Sequence, residues 1–325
     1  MRKEVEKMKK FGLIGLMLLV ILATSTASAA PSVTLNPSSV VANQTTTLTA
    51  TGFGFNMSVT VTLEKDGVNF LWNNSTAWIQ VSKIYFDGSA WRSSIATAGQ
   101  TNESGIYTTT FNTPPVLPGT YRVCVDDTQN VNCSNLSVIS PTFSAPPYGP
   151  AMAIIAVKGS GYPANENITI LWQNASISLC WNGTQWVNQL CDSNTTANAT
   201  GIIDTSIRVP RIKSGDYVLK IQSYRYAGYY NYTRDIQILS PIIRLNLTEG
   251  PISANVLVSG DRFSANDNVV ITWENATATL LWWNSSAKDW SSTSLCPNVG
   301  TGILGNFSET ITVPEIPAGN YRVCA

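Results

Sequence analysis

The sequence contains no histidine. A chain without histidine cannot build a Ser-His-Asp or Cys-His catalytic arrangement or a histidine-ligated zinc site, and it lacks the usual general base near neutral pH. Catalysis by two carboxylates stays open, but the acidic residues are scattered. No glycine-rich phosphate loop is present either, because "GFGF" at 52–55 lies in a β pattern with no helix after it. We therefore expect no enzyme activity and no cofactor.

Charge is also scarce. Only 12% of the residues are charged, against 44% hydrophobic, and Ser, Thr and Asn fill most polar positions. This composition suits strands better than helices with paired charges. After the apolar run at 11–23, no second run is long enough to span a bilayer.

The N-terminus predicts secretion. Five basic residues precede the apolar run, and Ala27-Ser28-Ala29 supplies the small residues of a signal-peptidase site. We predict a signal peptide at 1–29 and an extracellular or cell-surface protein, with an uncleaved anchor as the alternative. Cleavage leaves 15 basic and 18 acidic residues, a net charge of −3, which argues against a nucleic-acid partner.

One unit of about 100 residues is repeated three times. A glycine stands nine residues before a proline, a second glycine follows the proline by five residues, and a tyrosine follows by two more. The three sets are Gly105, Pro114, Gly119 and Tyr121; Gly201, Pro210, Gly215 and Tyr217; and Gly305, Pro314, Gly319 and Tyr321. Upstream, each copy has a second anchor of glycine and an aromatic residue, which we place at Gly52 and Phe55, Gly159 and Tyr162, and Gly260 and Phe263.

The upstream anchors are followed by alternating apolar and polar residues, the period of a half-buried strand. With no helical periodicity, the sequence predicts an all-β chain of three tandem antiparallel β-sandwiches. We place the domains at 30–141, 142–241 and 242–325, with short Ser-Pro joints that restrict bending.

The phrases "PGTYRVCV" and "AGNYRVCA" resemble the tyrosine corner of immunoglobulin-like and fibronectin-type domains. Together with "TGFGF…VTVTL", they resemble the immunoglobulin-like (TIG or fibronectin-like) modules that are repeated in large prokaryotic cell-surface proteins. The resemblance covers nearly the whole mature chain. It implies that Tyr121, Tyr217 and Tyr321 are structural locks, and it favours an archaeal envelope, but many functions share this architecture.

The third copy stops where the first two continue through one more strand. Two explanations stay open. Either the sequence is a fragment of a longer chain, or residues 30–41 of another copy donate the strand and build a fibre.

Six cysteines in a secreted chain indicate disulfides. Cys124 and Cys133 flank one turn, and Cys180 and Cys191 flank a hairpin, so each pair closes a short loop. Cys296 and Cys324 either bond to each other, or Cys324 requires a partner on the absent strand. A thiolate metal site is the competing interpretation, but the close C-x-x-C spacing is missing, so we expect no metal.

Seventeen of the 28 asparagines open an N-x-S/T sequon, about three times the number that chance gives. We expect N-glycosylation, with an Asn- and Thr-rich β surface as the alternative. The acceptors would be Asn43, Asn56, Asn73, Asn74, Asn102, Asn132, Asn135, Asn167, Asn174, Asn182, Asn194, Asn198, Asn231, Asn246, Asn275, Asn284 and Asn306.

Aromatic pairs bracket three predicted hairpin turns, at Phe86 and Trp91, Trp181 and Trp186, and Trp283 and Trp290. We interpret them as cross-strand clamps, whereas Trp91, Trp186 and Trp290 could alternatively stack on sugars. We assign Trp72, Trp172 and Trp273 to the core. Five polar turn residues have no calcium-loop spacing and are interpreted as solvated; these are Asp126, Asp127, Asn130, Asp261 and Asp267.

The leading hypothesis is a non-enzymatic structural or adhesive surface protein, part of an envelope layer, stalk or filament. Its partners would be other surface proteins or copies of itself, with glycans as further candidates. The second hypothesis is a carbohydrate-binding surface protein that uses the hairpin tryptophans. The third, a secreted hydrolase or its accessory region, is disfavoured by the missing histidine.

Overall fold

The computed structural model describes residues 29–226, 228–294 and 298–325. These residues form 31 β-strands and no helix, so the predicted all-β class is confirmed. None of the described segments is a helix with the length and apolarity of a membrane span. The predicted signal peptide, apart from Ala29, lies outside the described residues.

The strands fall into three groups along the chain. The first contains β1 Ser32–Asn36, β2 Ser39–Val40, β3 Thr45–Thr51, β4 Ser58–Glu64, β5 Phe70–Asn73, β6 Trp78–Val81, β7 Lys83–Phe86, β8 Trp91–Arg92, β9 Gly99–Gln100, β10 Tyr107–Asn112, β11 Gly119–Asp126 and β12 Val131–Val138. The second contains β13 Thr142–Ser144, β14 Tyr148–Gly149, β15 Ile154–Ser160, β16 Asn167–Gln173, β17 Ser178–Trp181, β18 Trp186–Val187, β19 Thr195–Thr196, β20 Ile203–Arg208, β21 Gly215–Ser223 and β22 Asn231–Ile238. The third contains β23 Ile242–Leu245, β24 Asn255–Asp261, β25 Asn268–Val269, β26 Thr272–Glu274, β27 Thr279–Asn284, β28 Asp289–Ser291, β29 Val299–Gly300, β30 Phe307–Thr312 and β31 Arg322–Cys324.

Each group has a small sheet of three strands, in the orders β1-β3-β10, β13-β15-β20 and β23-β24-β30. The first two groups add a second sheet of seven strands, β2-β12-β11-β4-β7-β8 with β9 on β4, and β14-β22-β21-β16-β17-β18 with β19 on β16. The third group has only β28-β27-β26-β31 and the pair β25-β29 in this place. Among its described residues, the strand that β12 and β22 provide elsewhere is absent.

The alternation read from the sequence places one face of each strand in a core. In β3 the burial alternates with Thr46, Leu48 and Ala50 inside. The tryptophans assigned to the core are buried, with 6%, 0% and 9% of the surface of Trp72, Trp172 and Trp273 exposed. Each group therefore has its own apolar core, as a sandwich of two sheets requires.

The predicted tyrosine corners are present. The hydroxyl groups of Tyr121, Tyr217 and Tyr321 donate to backbone carbonyls four residues upstream, at 2.7, 2.8 and 2.7 Å. Burial raises the pKa of Tyr121 to about 12, so this hydroxyl stays protonated and donating at any physiological pH.

The upstream anchor of the first group was misplaced. The glycines at 105, 201 and 305 each have a positive φ. A Cβ atom added to them would lie within about 2 Å of the backbone carbonyl oxygen of Phe53, Tyr162 or Phe263, respectively. Phe53 is buried, whereas Phe55 is 68% exposed. Phe53, rather than Phe55, is the equivalent residue, because the backbone approach to this glycine defines the anchor.

Candidate functional site

The predicted hairpin aromatics face each other across their strands. The pairs Phe86 and Trp91, Trp181 and Trp186, and Trp283 and Trp290 are direct cross-strand neighbours, with ring centroids 5.3–5.5 Å apart. The second residue of each pair also reaches the opposite sheet. Its indole Nε1 donates to the carbonyl of Asn112, Arg208 or Thr312 at 3.0, 2.6 and 2.6 Å.

This geometry gives Trp91, Trp186 and Trp290 a packing role. Each indole donates its one N–H to the protein backbone and is half-buried. Each also makes an edge-to-face contact with a second ring, that of Phe111, Trp172 or Trp273, and such contacts add stability beyond the buried area. The cross-strand clamp is therefore confirmed, and stacking of sugars on these rings stays a prediction.

Every sequon asparagine is accessible. Of the seventeen, nine are exposed, eight are half-buried and none is buried. Seven of them occupy three hairpin or loop turns that recur in the groups. These are Asn74, Asn174 and Asn275; Asn182 and Asn284; and Asn102 and Asn198.

In these turns the asparagine Oδ1 accepts a backbone N–H three or four residues ahead, at 2.8–3.0 Å. This is an Asx turn, which asparagine and aspartate favour. Asp87 makes the same turn in the first group with no sequon, so turn chemistry explains part of the sequon excess. The turn uses Oδ1 and leaves Nδ2, the atom that carries an N-glycan, without a role in it.

Two predicted disulfides are formed. Cys124 bonds Cys133, and Cys180 bonds Cys191. Glu64 lies beside the first pair and completes a cluster of potential metal ligands within the described residues. The disulfide removes both thiolates that a metal would need. Cys296 lies outside the described residues, and Cys324 is unpaired among them.

The acidic turn residues are not all solvated, and the prediction is wrong for Asp127. Its side chain is fully buried and accepts the backbone N–H groups of Gly54, Gln129 and Asn130 at 2.7, 3.0 and 2.6 Å. Burial opposes the charge, but these hydrogen bonds together lower the pKa of Asp127 below its usual value. This carboxylate holds two loops together and is occupied by backbone donors.

Adjacent groups meet through equivalent backbone hydrogen bonds. Ala164 N–H donates to the carbonyl of Ala42 at 2.7 Å, and Ala265 N–H donates to that of Ala151 at 2.8 Å. Ala164 and Ala265 are buried, with 5% and 2% of their surface exposed. We name these contacts the first joint and the second joint.

The first joint is enlarged by a tyrosine-rich segment at 224–232. The buried Tyr230 hydroxyl donates to the carbonyl of Val116 in the first group. The ring of Trp78 in the first group packs on Tyr226 and Tyr229, with centroids 5.9 and 4.3 Å away. Sequence reasoning missed this segment, although five tyrosines within nine residues were a visible signal.

The second joint is more polar. Arg211 of the second group forms an ion pair with Asp267 of the third, and both lie where solvent reaches them. No tyrosine-rich segment is found there among the described residues. The two joints therefore share one backbone contact but differ in apolar content.

A groove of about 570 Å³ opens between the sheets of the third group, along β31. Its lining includes Leu245, Val256, Trp273, Ile316, Tyr321 and Val323. Most of these side chains are apolar, so the groove favours an apolar occupant over a polar small molecule.

Residues 30–41, the predicted strand donor, are already placed. Ser32–Asn36 pairs with Thr45–Thr51 across five residue pairs, and Val33 points into the core of the first group. Ser39 and Val40 pair with β12. Donation of this segment would therefore remove two strands from its own group.

No protein-family model matches the sequence, and no curated protein matches it. Among solved structures, the chain is similar to α-2-macroglobulin from Escherichia coli, at 11% identity and a TM-score of 0.25, over 90% of this chain and 30% of that one. It is similar to the Yersinia pseudotuberculosis adhesin InvE, at 14% identity and a TM-score of 0.25, over 64% of this chain and 58% of that one. It is also similar to the Escherichia coli adhesin FdeC, at 13% identity and a TM-score of 0.23, over 91% of each chain. The chain spans less than two thirds of the length of the first two proteins.

Proposed function

We propose that this chain is a non-enzymatic extracellular protein that acts as a glycosylated spacer or adhesive rod in a cell envelope. The observation that carries the proposal is the repeated joint, in which Ala42 and Ala151 accept equivalent hydrogen bonds from the next group. Because the same contact is made at both joints, each sandwich would have a similar position relative to the one before it. Such a chain can hold a site at a fixed distance from the cell.

Two further features support an exterior location. Disulfides persist in oxidising compartments, and two are present. The sequon asparagines are all accessible, so glycan could coat the sandwiches and limit proteolysis. The partners would be other surface proteins or copies of this chain.

Small-angle scattering of the mature chain tests the rod. We expect one elongated population whose maximum dimension equals three groups arranged end to end. A compact particle, or the broad distance distribution of independently moving groups, would contradict the proposal.

Two substitutions test glycosylation separately from turn stability. Asn182→Asp keeps the Oδ1 acceptor of the Asx turn but removes the amide nitrogen, whereas Asp87→Asn creates the sequon Asn-Gly-Ser in the matching turn of the first group. In a host that glycosylates secreted proteins, we expect the first variant to lose one glycan by mass spectrometry and the second to gain one. Unchanged masses in both variants would refute glycosylation at these turns.

A further inference from the structure

An N-glycan requires two side chains of a sequon at once. A transferase joins the sugar to the asparagine Nδ2 and also reads the hydroxyl of the serine or threonine two residues ahead. An accessible asparagine is therefore not enough to make a sequon usable in the folded chain. The hydroxyl must reach solvent as well.

Four threonine sequons meet both conditions in the same way. In each, the asparagine Oδ1 accepts the backbone N–H of the threonine at 2.9–3.1 Å and the threonine hydroxyl at 2.7–3.0 Å. The threonine is exposed in all four. The turn therefore holds the amide and the hydroxyl within one hydrogen bond of each other at the surface. These sequons are Asn74-Ser75-Thr76, Asn182-Gly183-Thr184, Asn198-Ala199-Thr200 and Asn275-Ala276-Thr277.

The sequon that begins at Asn167 lies in a different setting, inside β16. This strand pairs with β21 along one edge and with β17 and β19 along the other. The Asn167 side chain is exposed, but its Nδ2 donates to the Asp192 carboxylate at 2.7 Å. The sequon threonine, Thr169, has 0% of its surface exposed. The fold therefore leaves the amide at the surface and removes the hydroxyl from it.

A buried serine fastens a neighbouring segment over Thr169. The Ser193 N–H donates to the carbonyl of Ile168 at 3.2 Å, and the Ser193 Oγ accepts the N–H of Ile170 at 2.6 Å, so Ser193 holds the backbone on both sides of Thr169. Cys191, two residues earlier, is held in a disulfide. A transferase could reach the Thr169 hydroxyl only after this part of the sheet opens, and such local opening costs free energy.

We propose that the fold selects the acceptors, so that an oligosaccharyltransferase modifies the folded chain at the four turn sequons and not at Asn167. In the transfer, the asparagine Nδ2 displaces a lipid diphosphate from the anomeric carbon of the donor oligosaccharide. A C–N bond forms, a C–O bond breaks, and the Nδ2 proton passes to a base of the transferase. The inference rests on the proposed glycosylation and adds which sequons accept the glycan.

The third group supplies a matched position for a control. Asn268 takes the place of Asn167, because each stands five residues before the core tryptophan of its group. Val270 takes the place of Thr169, but it is 38% exposed. Val270→Thr therefore creates a sequon at Asn268 in the same strand position, with its hydroxyl at an exposed position.

Glycosylation in vitro tests the proposal on the mature Val270→Thr chain. A purified single-subunit oligosaccharyltransferase and an oligosaccharide linked to a lipid diphosphate are added, and peptide mapping follows the occupancy of each sequon. We expect Asn268 and the four turn asparagines to be modified at least about tenfold faster than Asn167, because only Asn167 requires local opening of a sheet.

Two synthetic peptides serve as references without a fold. They carry residues 163–173, and residues 264–274 with Val270→Thr, and each contains one sequon. We expect the transferase to modify Asn167 and Asn268 at similar rates in these peptides.

Modification of Asn167 as fast as Asn268 in the folded chain would overturn the proposal. A preference for Asn268 of the same size in the peptides would also overturn it, because the local sequence and not the fold would then withhold Asn167. The transferase is added, so these outcomes do not depend on the native host. A native protein without glycan would refute the proposed coat, whereas the comparison in vitro alone decides whether the fold selects the acceptors.

Discussion

Tyr230 and Val116 are 114 residues apart in the chain, yet the Tyr230 hydroxyl donates a hydrogen bond to the Val116 carbonyl. The tyrosine belongs to the second group and the carbonyl to the first. This hydrogen bond is buried. If the hydroxyl and the carbonyl were buried without each other, both would lose their hydrogen bonds to water and gain none in return, which costs free energy. The contact therefore favours a single arrangement of the first joint.

We expect Tyr230→Phe to loosen the first joint without unfolding either group. The Val116 carbonyl would be left buried without this donor, at a cost of about 1–3 kcal/mol. Hydrogen exchange should increase in the residues around Val116 and Tyr230, and scattering should show a broader distance distribution. Tyr224→Phe, which alters an exposed tyrosine of the same segment, should change neither measurement; equal effects in the two variants would refute the prediction.

The second joint should respond differently. The ion pair of Arg211 and Asp267 is solvent-accessible, with 69% and 24% of the two side chains exposed. We expect Arg211→Ala to change the free energy of unfolding by less than about 1 kcal/mol, and we expect the difference to vanish at high salt. Urea unfolding at two salt concentrations measures this. A large loss that persists in high salt would show that the ion pair contributes more than its exposure allows.

The tyrosine corners should differ in their contribution to stability. Tyr217→Phe removes a partly buried hydrogen bond, and we expect a loss of about 1 kcal/mol in urea unfolding. Tyr321→Phe removes an exposed one, so its loss should be smaller, because water replaces the lost partner. The reverse order would contradict this interpretation of the groove beside Tyr321.

The repeated landmarks could be predicted from sequence because they are local. The corner tyrosine and its acceptor are four residues apart, and the hairpin aromatics bracket turns of a few residues, so both follow from spacing alone. The disulfides also close short loops, with separations of 9 and 11 residues. Contacts between residues that are close in sequence depend little on how the rest of the chain folds, so spacing alone predicts them.

The joints could not be predicted in the same way. The contact of Ala42 with Ala164 depends on how two complete sandwiches meet, and alanine carries no side-chain signal for such a contact. Asp127 was misinterpreted for a similar reason. Its partner Gly54 is 73 residues away, so its burial follows from the closure of the fold, which the surrounding turn sequence does not reveal.

Asp127 should make the first group sensitive to acid. Because its pKa is lowered from 3.8 in the folded chain, its contribution to stability is present above that value and is lost as pH falls through the folded pKa. We expect Asp127→Asn to cost about 1–3 kcal/mol at neutral pH and to change less than the parent chain on acidification. Hydrogen exchange of the Gly54 and Gln129 amides, measured across a pH series, follows both effects. Asp126→Asn, which changes a half-buried neighbouring carboxylate, is the control. Unaltered protection of these amides at neutral pH would refute the prediction.

Glu274 should control the reactivity of Cys324. Burial raises the pKa of the Cys324 thiol, and the Glu274 carboxylate, which accepts its hydrogen bond, raises that pKa further. Glu274→Gln removes the negative charge, so the thiol pKa should fall towards its ordinary value and more thiolate should be present at neutral pH. We therefore expect faster alkylation of Cys324, followed by peptide mapping across a pH series, and a reaction profile displaced to lower pH. Glu315→Gln, an exposed position of the same group, should leave the profile unchanged; a profile unaffected by Glu274→Gln would mean that burial alone raises the thiol pKa.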